Sequence, residues 1–257
     1  MKIVVTDSHG NVVATEHGPG KEGLNRYVWK MQYDEPTKLD FVKSFGEGFG
    51  DFGPAALAGT YTVSVTADGK TQSVPAVVHY DPNQDIAPDE ARTLTALALK
   101  DRNELSAFNE MLNRVSAMQD ALKDFQDGVT SDEDKAKYKA ALDQAKALDK
   151  KLGDLKGSVF NTAEQHDAIE DFLHYQTKLD GELQSLFFGT AGSDPQPMIQ
   201  SLTDLDNEVT PKLTDAIGRF NALLKTDVPG YNKTAYGLGA PTLLVGDPVT
   251  VKPVPTL

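Results

Sequence analysis

Three side chains that can ligate metals lie one helical turn apart in the second half of the sequence. His166, Glu170 and His174 follow each other at four-residue intervals, which stacks them on one face of a predicted helix. A zinc motif of the HExxH type places two histidines four residues apart, whereas these two are eight apart. The face also turns away from the apolar stripe of the same helix. We expect a solvated charged face here, and a metal site is the alternative.

Two acidic runs, at residues 131–134 and 204–208, raise the question of calcium. A calcium loop needs alternating oxygen ligands, a central glycine and a terminal glutamate, and neither run has this pattern. Helix capping accounts for the first run, which begins with Ser131. A solvated helix face accounts for the second. We therefore predict no metal ion and no cofactor.

The segment of residues 43–58 is rich in glycine and carries Phe45, Phe49 and Phe52. Aromatic side chains on such a loop are able to stack on sugars or peptides, which makes the three phenylalanines candidate ligand or partner contacts. The alternative is a loop that folds its phenylalanines over the open end of the predicted sheet domain. Both interpretations stay open at this point.

Composition excludes several functional classes. The chain has 257 residues, no cysteine and a net charge of −13, so thiolate chemistry is absent and nucleic acid or anionic membranes are disfavoured as partners. No apolar run is long enough to span a bilayer. No nucleophile elbow, phosphate loop or dinucleotide motif occurs. Paired carboxylates for glycoside chemistry depend on the fold, and nothing in the sequence singles out a pair.

The first 80 residues have the pattern of an antiparallel sheet, because short β-branched or aromatic runs alternate with turn residues. Hairpin turns are predicted at residues 7–10 and at Asp68-Gly69. The predicted strands are residues 3–5, 11–15, 25–33, 59–66 and 72–80. Together they predict a small β-sandwich.

The hydrophobic period changes from two to about 3.5 after Asp81-Pro82, which marks the start of helices. The predicted helices run from near Pro88 to 128, and over residues 131–157, 162–186 and 199–224. Polar Asp101 and Gln119 fall in the apolar stripe of the first helix, so we expect imperfect packing there. Pro211 predicts a kink, or a helix restarted from Thr210. Residues 231–257 are expected to be extended, with an added edge strand as an option.

Several stretches of the chain carry a family resemblance. Residues 23–34 (GLNRYVWKMQYD), 58–63 (AGTYTV), 68–71 (DGKT) and 81–82 (DP) resemble the module that follows the β-propeller in bacterial sortilin-like (VPS10-type, BNR/Asp-box) proteins, often labelled glycosyl hydrolases. The resemblance implies an immunoglobulin-like (FlgD-like) sandwich followed by a helical region. Lys30 departs from the acidic residue usual after the tryptophan. The chain also has no Asp-box motif, so any hydrolase activity would belong to the propeller.

These observations lead to one set of predictions. The fold is α+β and multidomain, with an immunoglobulin-like antiparallel sandwich (1–82), an up-down bundle of about four helices (83–230) and an extended tail (231–257). The function is that of a non-catalytic accessory region of a sortilin-like protein, with the propeller or a second copy of the chain as partner. The first alternative is a free-standing module that binds glycan or protein through residues 43–58, and the second is a hydrolase acting through this chain alone. The sequence begins directly with a strand pattern and shows no signal peptide, although the resemblance implies an exported parent protein.

Overall fold

The computed structural model describes residues 1–42, 52–83, 86–161, 177–191 and 200–257. It is an α+β structure in which a small antiparallel sheet precedes the helices. The strands are β1 (Lys2–Thr6), β2 (Val12–His17), β3 (Gly59–Ala67) and β4 (Lys70–Val78). The helices are α1 (Pro88–Gly128), α2 (Asp132–Lys137), α3 (Lys139–Val159), α4 (Leu179–Thr190), α5 (Gln200–Lys225) and α6 (Asp227–Leu238).

The four strands form one sheet in the order β2-β1-β3-β4, and each neighbouring pair is antiparallel. Both predicted hairpins are confirmed. Asp68 and Gly69 have φ angles of 49° and 73°, the left-handed pair that a tight two-residue hairpin turn requires. The side chain of Asp7 accepts from the backbone N–H groups of His9 and Asn11 and so closes the first turn.

The predicted strand over residues 25–33 is wrong. Only an isolated bridge joins Gln32 to Ala55, with backbone bonds from Tyr33 N–H to Pro54 and from Ala56 N–H to Met31. Met31 has a φ of 56°, and this left-handed conformation interrupts an extended run. The alternating aromatic pattern instead reflects packing, because Trp29 contacts Tyr61 edge to face with ring centroids 5.1 Å apart.

The long first helix agrees with the sequence pattern, whereas the helix predicted over residues 131–157 is divided at Tyr138 into α2 and α3. Residues 162–176 of the predicted third helix lie outside the described residues. α1 begins at Pro88 and ends at Gly128, and Ser131 caps α2 by accepting from Asp134 N–H at 3.0 Å. Helix α5 runs through Pro211 without restarting at Thr210. Burial of Val209 and Leu213 on either side of the proline holds the helix together against its local cost.

The segment predicted to be extended after residue 230 begins with a helix, so that prediction is wrong for residues 231–238. Pro229 and Gly230 indicated a stop, but Pro229 lies in the first turn of α6, where its missing N–H leaves no intrahelical bond unmade. Gly239 ends the helix in the left-handed conformation, with a φ of 74°. Residues 240–257 contain neither a helix nor a strand.

Side-chain amides of the helices bind the C-terminal segment of residues 240–257 by hydrogen bonds. Asn221 donates to Val249 O and accepts from Val249 N–H, both at 2.9 Å. Asn232 makes the same pair of bonds with Leu243. Asn103 donates to Lys252 O at 3.1 Å. These amides replace the backbone ladder that a strand would supply, and they direct the tail back toward the sheet.

Two hydrophobic cores result from this arrangement. The smaller core lies on one face of the sheet, where Leu99 of α1 is buried with residues of the strands and Tyr33, and Val254 and Leu257 of the tail pack against it. The larger core joins α1 to α3, α4, α5 and α6. The N-terminal part of α1 thus supports the sheet, as its predicted length suggested. No described helix has the length and apolarity needed to cross a membrane.

Candidate functional site

A cluster of charged and hydroxyl side chains is buried where α1, α4 and α5 meet. We call it the Lys100 cluster, and it consists of Lys100, Asp101, Glu104, Thr190, Asp206 and Thr210. Asp101, Glu104 and Asp206 each offer one carboxylate oxygen, and these three oxygens lie within 4.8 Å of one another. Several charged side chains rarely lie together in a protein interior unless they are paired or bind a ligand. This cluster is therefore the strongest candidate site in the described part of the chain.

Helical spacing brings the members of the cluster together. Lys100 and Glu104 are four residues apart on α1, and Asp206 and Thr210 are four residues apart on α5, so each pair shares a helix face. Thr190 is the last residue of α4, and its hydroxyl reaches Asp101 from the third helix. Close packing of these helices around the Phe108 and Leu213 core sets the distances between the three faces.

Lys100 lies between the carboxylates. Its ammonium group donates to Asp206 Oδ1, to Glu104 Oε1 at 3.0 Å and to Thr210 Oγ1 at 3.1 Å, which uses all three of its protons. Asp101 Oδ1 is farther away, at 3.8 Å. Burial lowers the pKa of Lys100, but the hydrogen bonds with Asp206 and Glu104 outweigh it and raise the pKa above its ordinary value. The lysine is therefore charged.

Asp101 differs from the other two carboxylates. Thr190 Oγ1 donates to its Oδ2 at 2.7 Å, while its Oδ1 accepts no hydrogen bond from any residue that the structure describes. Only 1% of the residue is exposed. Burial raises the pKa of the carboxyl to about 7, against the opposing effects of Thr190 and Lys100. One oxygen of this group is thus desolvated and receives no hydrogen bond from the described residues, although the Lys100 ammonium lies 3.8 Å away.

The cluster carries an excess of negative charge. Three carboxylates face one ammonium group, and the exposed fractions of the carboxylate side chains are 0% for Asp101, 5% for Glu104 and 20% for Asp206. The atoms of the cluster that could bind a metal ion are carboxylate and hydroxyl oxygens, the ligands that calcium, magnesium and manganese prefer. In chemical terms the arrangement suits a hard cation.

The cluster does not line either of two surface hollows in the described part of the chain. One hollow lies between α3 and α6 and includes Lys151, Asp227 and Tyr231. The other follows α1 and α3 and includes Asp120 and Asp149. Acid–base catalysis requires the catalytic group within hydrogen-bond reach of a substrate, and these hollows do not bring a substrate to Asp101.

Most of the site residues predicted from the sequence lie outside the described residues. This applies to Phe45, Phe49, His166, Glu170 and His174. Phe52 is described, and its ring stacks on Phe187 of α4 with centroids 5.4 Å apart and also contacts Phe188 at 5.6 Å. Phe52 therefore packs against a helix.

The two acidic runs have different outcomes. Residues 131–134 form the predicted helix cap. In the second run Asp204 bonds to Gln200 and Glu208 pairs with Lys212 on the exposed face, as expected, but Asp206 turns into the Lys100 cluster. The prediction that Asp206 lies on a solvated face is wrong, because its carboxylate bonds to Lys100 on α1 and to Thr210.

Lys100, Glu104 and Thr190 were not predicted as site residues from the sequence. One signal was present, since Asp101 occupies a position of the apolar stripe where a hydrophobic residue belongs. A charged residue at a core position, with a lysine beside it and a glutamate one turn later, predicts a buried ionic group. Its partners on α4 and α5 depend on the tertiary fold. Comparisons of the chain with protein-family models, with curated proteins and with solved structures gave no match.

Proposed function

We propose that this chain is a non-catalytic accessory region of a sortilin-like β-propeller protein, and that it associates with the propeller through strand β4. The observation that supports this proposal is the exposure of β4. The strand is nine residues long and pairs with β3 along its whole length, while its other edge has no strand partner among the described residues. Val74 and Val77 are each 59% exposed.

The two valines point to opposite faces of the sheet, because side chains alternate along a strand. Val74 lies in the same row as Val63 and Val5, on the face that packs against α1, but it extends beyond the covered area. Val77 lies on the opposite face, in a row with Thr60. A partner that covers this edge would bury apolar surface on both sides of β4.

Pro75 limits how a partner can bind. It keeps the regular register opposite Thr62, and because proline has no N–H, its nitrogen must face away from β3. The outer edge of β4 therefore lacks one donor at its centre, which is a common protection against the addition of a complete strand. A partner is expected to pack on the valine side chains instead of extending the sheet.

The proposed function implies an immunoglobulin-like sandwich for the sheet domain and a four-helix bundle for the helices. An immunoglobulin-like sandwich needs a second layer, and its best support is the short pairing of residues 31–33 with 54–56. This pairing brings Tyr33 and Ala56 into the core beneath the sheet. A four-helix bundle is supported by the contacts of α1 with α3, α4 and α5, to which α6 adds a further helix.

The experiment combines a gene search with a binding measurement. The reading frame upstream of this chain is expected to encode a propeller, and the purified propeller is expected to bind residues 1–257. Changing both valines (Val74→Lys and Val77→Lys) should abolish binding, since two ammonium groups would be placed at the contact. Val12→Lys is the matched control, because Val12 is 55% exposed on β2, the opposite edge strand. An upstream frame without a propeller, or binding that survives the double change, would refute the proposal.

One observation favours the alternative in which residues 43–58 bind a glycan or a protein. Phe188 is 47% exposed beside Phe52, and exposed aromatic rings suit sugar stacking. A glycan array probed with the wild-type chain and with Phe49→Ala and Phe188→Ser would test this. Equal glycan binding by the wild type and both variants would exclude the phenylalanines as the binding surface.

A further inference from the structure

The Lys100 cluster has the composition of a cation site in which a lysine occupies the place of the ion. The ammonium group of Lys100 contacts Glu104, Asp206 and Thr210 at hydrogen-bond distance. The same carboxylates, together with Asp101, form a set of ligand atoms close enough to share one ion. A cluster of acidic residues alone is weak evidence, because ion pairs explain most of them.

The free oxygen of Asp101 is the second observation. This carboxylate is almost completely buried, and its Oδ1 has no hydrogen-bond donor in the described part of the chain, although it faces the Lys100 ammonium at 3.8 Å. Leaving a buried carboxylate oxygen unsatisfied is costly. Lys100 cannot satisfy it, because its three protons are already directed at Asp206, Glu104 and Thr210.

The two hydroxyl groups of the cluster orient its carboxylates. Thr190 binds Asp101 Oδ2 and leaves Oδ1 turned toward the lysine. Thr210 lies 3.2 Å from Glu104 Oε1 and 3.1 Å from Asp206 Oδ1. Such hydrogen bonds are how metal sites fix the direction of their ligands. The carboxylates are held on rigid helices, whereas the lysine is the flexible member.

We propose that the Lys100 cluster binds a hard divalent cation through Asp101, Glu104 and Asp206, with Lys100 moving out to solvent as the ion enters. The side chain of Lys100 is 33% exposed, so its ammonium group has a route to water on a flexible stem. Three carboxylate charges remain in the site when the lysine leaves. A divalent ion balances two of them, whereas the ammonium group balances one. The ion would also bind Asp101 Oδ1. This inference is independent of the proposed role of β4.

The test uses the full chain, stripped with a chelator, and manganese(II) chloride as the probe, with binding measured by titration calorimetry. The wild type is expected to bind weakly, because the ion must displace Lys100. Lys100→Met removes the competing charge and should tighten binding by at least about tenfold. Adding Asp206→Asn to Lys100→Met should then remove the binding.

Lys212 provides the matched control. It also bridges two carboxylates on different helices, Glu182 and Glu208, but on the surface. Lys212→Met should leave manganese binding unchanged. Binding by Lys100→Met no tighter than about 1 mM, the weak end of dedicated calcium sites, would overturn the proposal, as would binding that persists after Asp206→Asn.

A second measurement covers the case in which Lys100→Met does not fold. Manganese should raise the melting temperature of the wild type above that in sodium chloride of the same ionic strength, because an ion that binds only the folded state stabilises it. The rise should be absent in Asp206→Asn. An equal melting temperature in both salts would mean that Lys100 is not displaced and would overturn the proposal.

Discussion

Two lysines of this chain make almost the same contacts in different surroundings. Lys100 joins Glu104 on α1 to Asp206 on α5, and Lys212 joins Glu208 on α5 to Glu182 on α4. Each pairs within its own helix at a four-residue spacing and once across to a neighbouring helix, and Lys100 also lies 3.8 Å from Asp101 on α1. The contacts of Lys212, at 2.7–2.9 Å, are as short as those of Lys100.

The difference between them is burial. Glu104 and Asp206 are 5% and 20% exposed, whereas Glu182 and Glu208 are 22% and 64% exposed. An exposed ion pair gains little, because water solvates the separated charges nearly as well. A buried pair contributes little over an apolar core, but loss of one partner leaves an uncompensated charge in a poorly solvating interior. The geometry of an ion pair therefore does not determine what its removal costs.

The largest expected effect is that of Lys100→Met. The change leaves Glu104 and Asp206 without their counter-charge. The free energy of unfolding should fall by about 3 kcal/mol, the low end of the range for buried pairs, because Lys100 is itself partly exposed. Urea unfolding monitored by circular dichroism measures this. A loss below that of Lys212→Met would show that burial does not separate the two clusters.

The second effect is a pH dependence that arises from Asp101. Its pKa is about 7 in the folded chain and 3.8 in the unfolded one, so the folded state binds the proton more tightly. Its contribution to stability is complete below about pH 4 and is lost as the pH rises to 7. The charges that face it are Lys100 and Glu104 on α1 and Asp206 on α5, and Thr190 on α4 donates to it.

Replacing Asp101 by asparagine tests that pH dependence. In the metal-free protein, Asp101→Asn should flatten the decline in the free energy of unfolding between pH 4 and 7 that the raised pKa of Asp101 causes in the wild type. Urea unfolding at several pH values provides the measurement. Glu208→Gln, which changes a surface partner of Lys212, serves as the control and should keep the decline. An unchanged slope in Asp101→Asn would assign the pH dependence to other groups.

Thr210→Val addresses the hydroxyl that touches three charged groups of the Lys100 cluster. Valine has nearly the same shape but no donor, so Lys100, Glu104 and Asp206 each lose a contact. We expect a loss of about 1 kcal/mol in the free energy of unfolding. The matched control is Thr214→Val, one turn later on α5, where the hydroxyl bonds only to a backbone carbonyl. Equal losses in the two variants would show that the Thr210 hydroxyl does not support the cluster.

The sequence predicted what depends on local pattern and missed what depends on tertiary contact. The hairpin at Asp68-Gly69, the Ser131 cap and the length of α1 follow from turn chemistry, capping and periodicity, and all three are confirmed. The strand around Trp29 failed because alternation of aromatic residues arises equally from an irregular segment packed on a sheet. Asp101 was visible as a misplaced polar residue, but its partners Thr190 and Asp206 lie 89 and 105 residues away, where no spacing rule applies.

The smallest expected effect is that of Lys212→Met, and its salt dependence separates the two clusters most clearly. The loss of stability should be under about 1 kcal/mol at low ionic strength. It should vanish in about 1 M sodium chloride, where charges are screened beyond roughly 3 Å. The loss caused by Lys100→Met should largely persist in the same salt, because salt screens partly buried charges much less than exposed ones. Unfolding curves for both variants at the two salt concentrations provide the measurement. If salt abolished both losses, the Lys100 cluster would behave as a surface ion pair, and the distinction drawn from burial would fail.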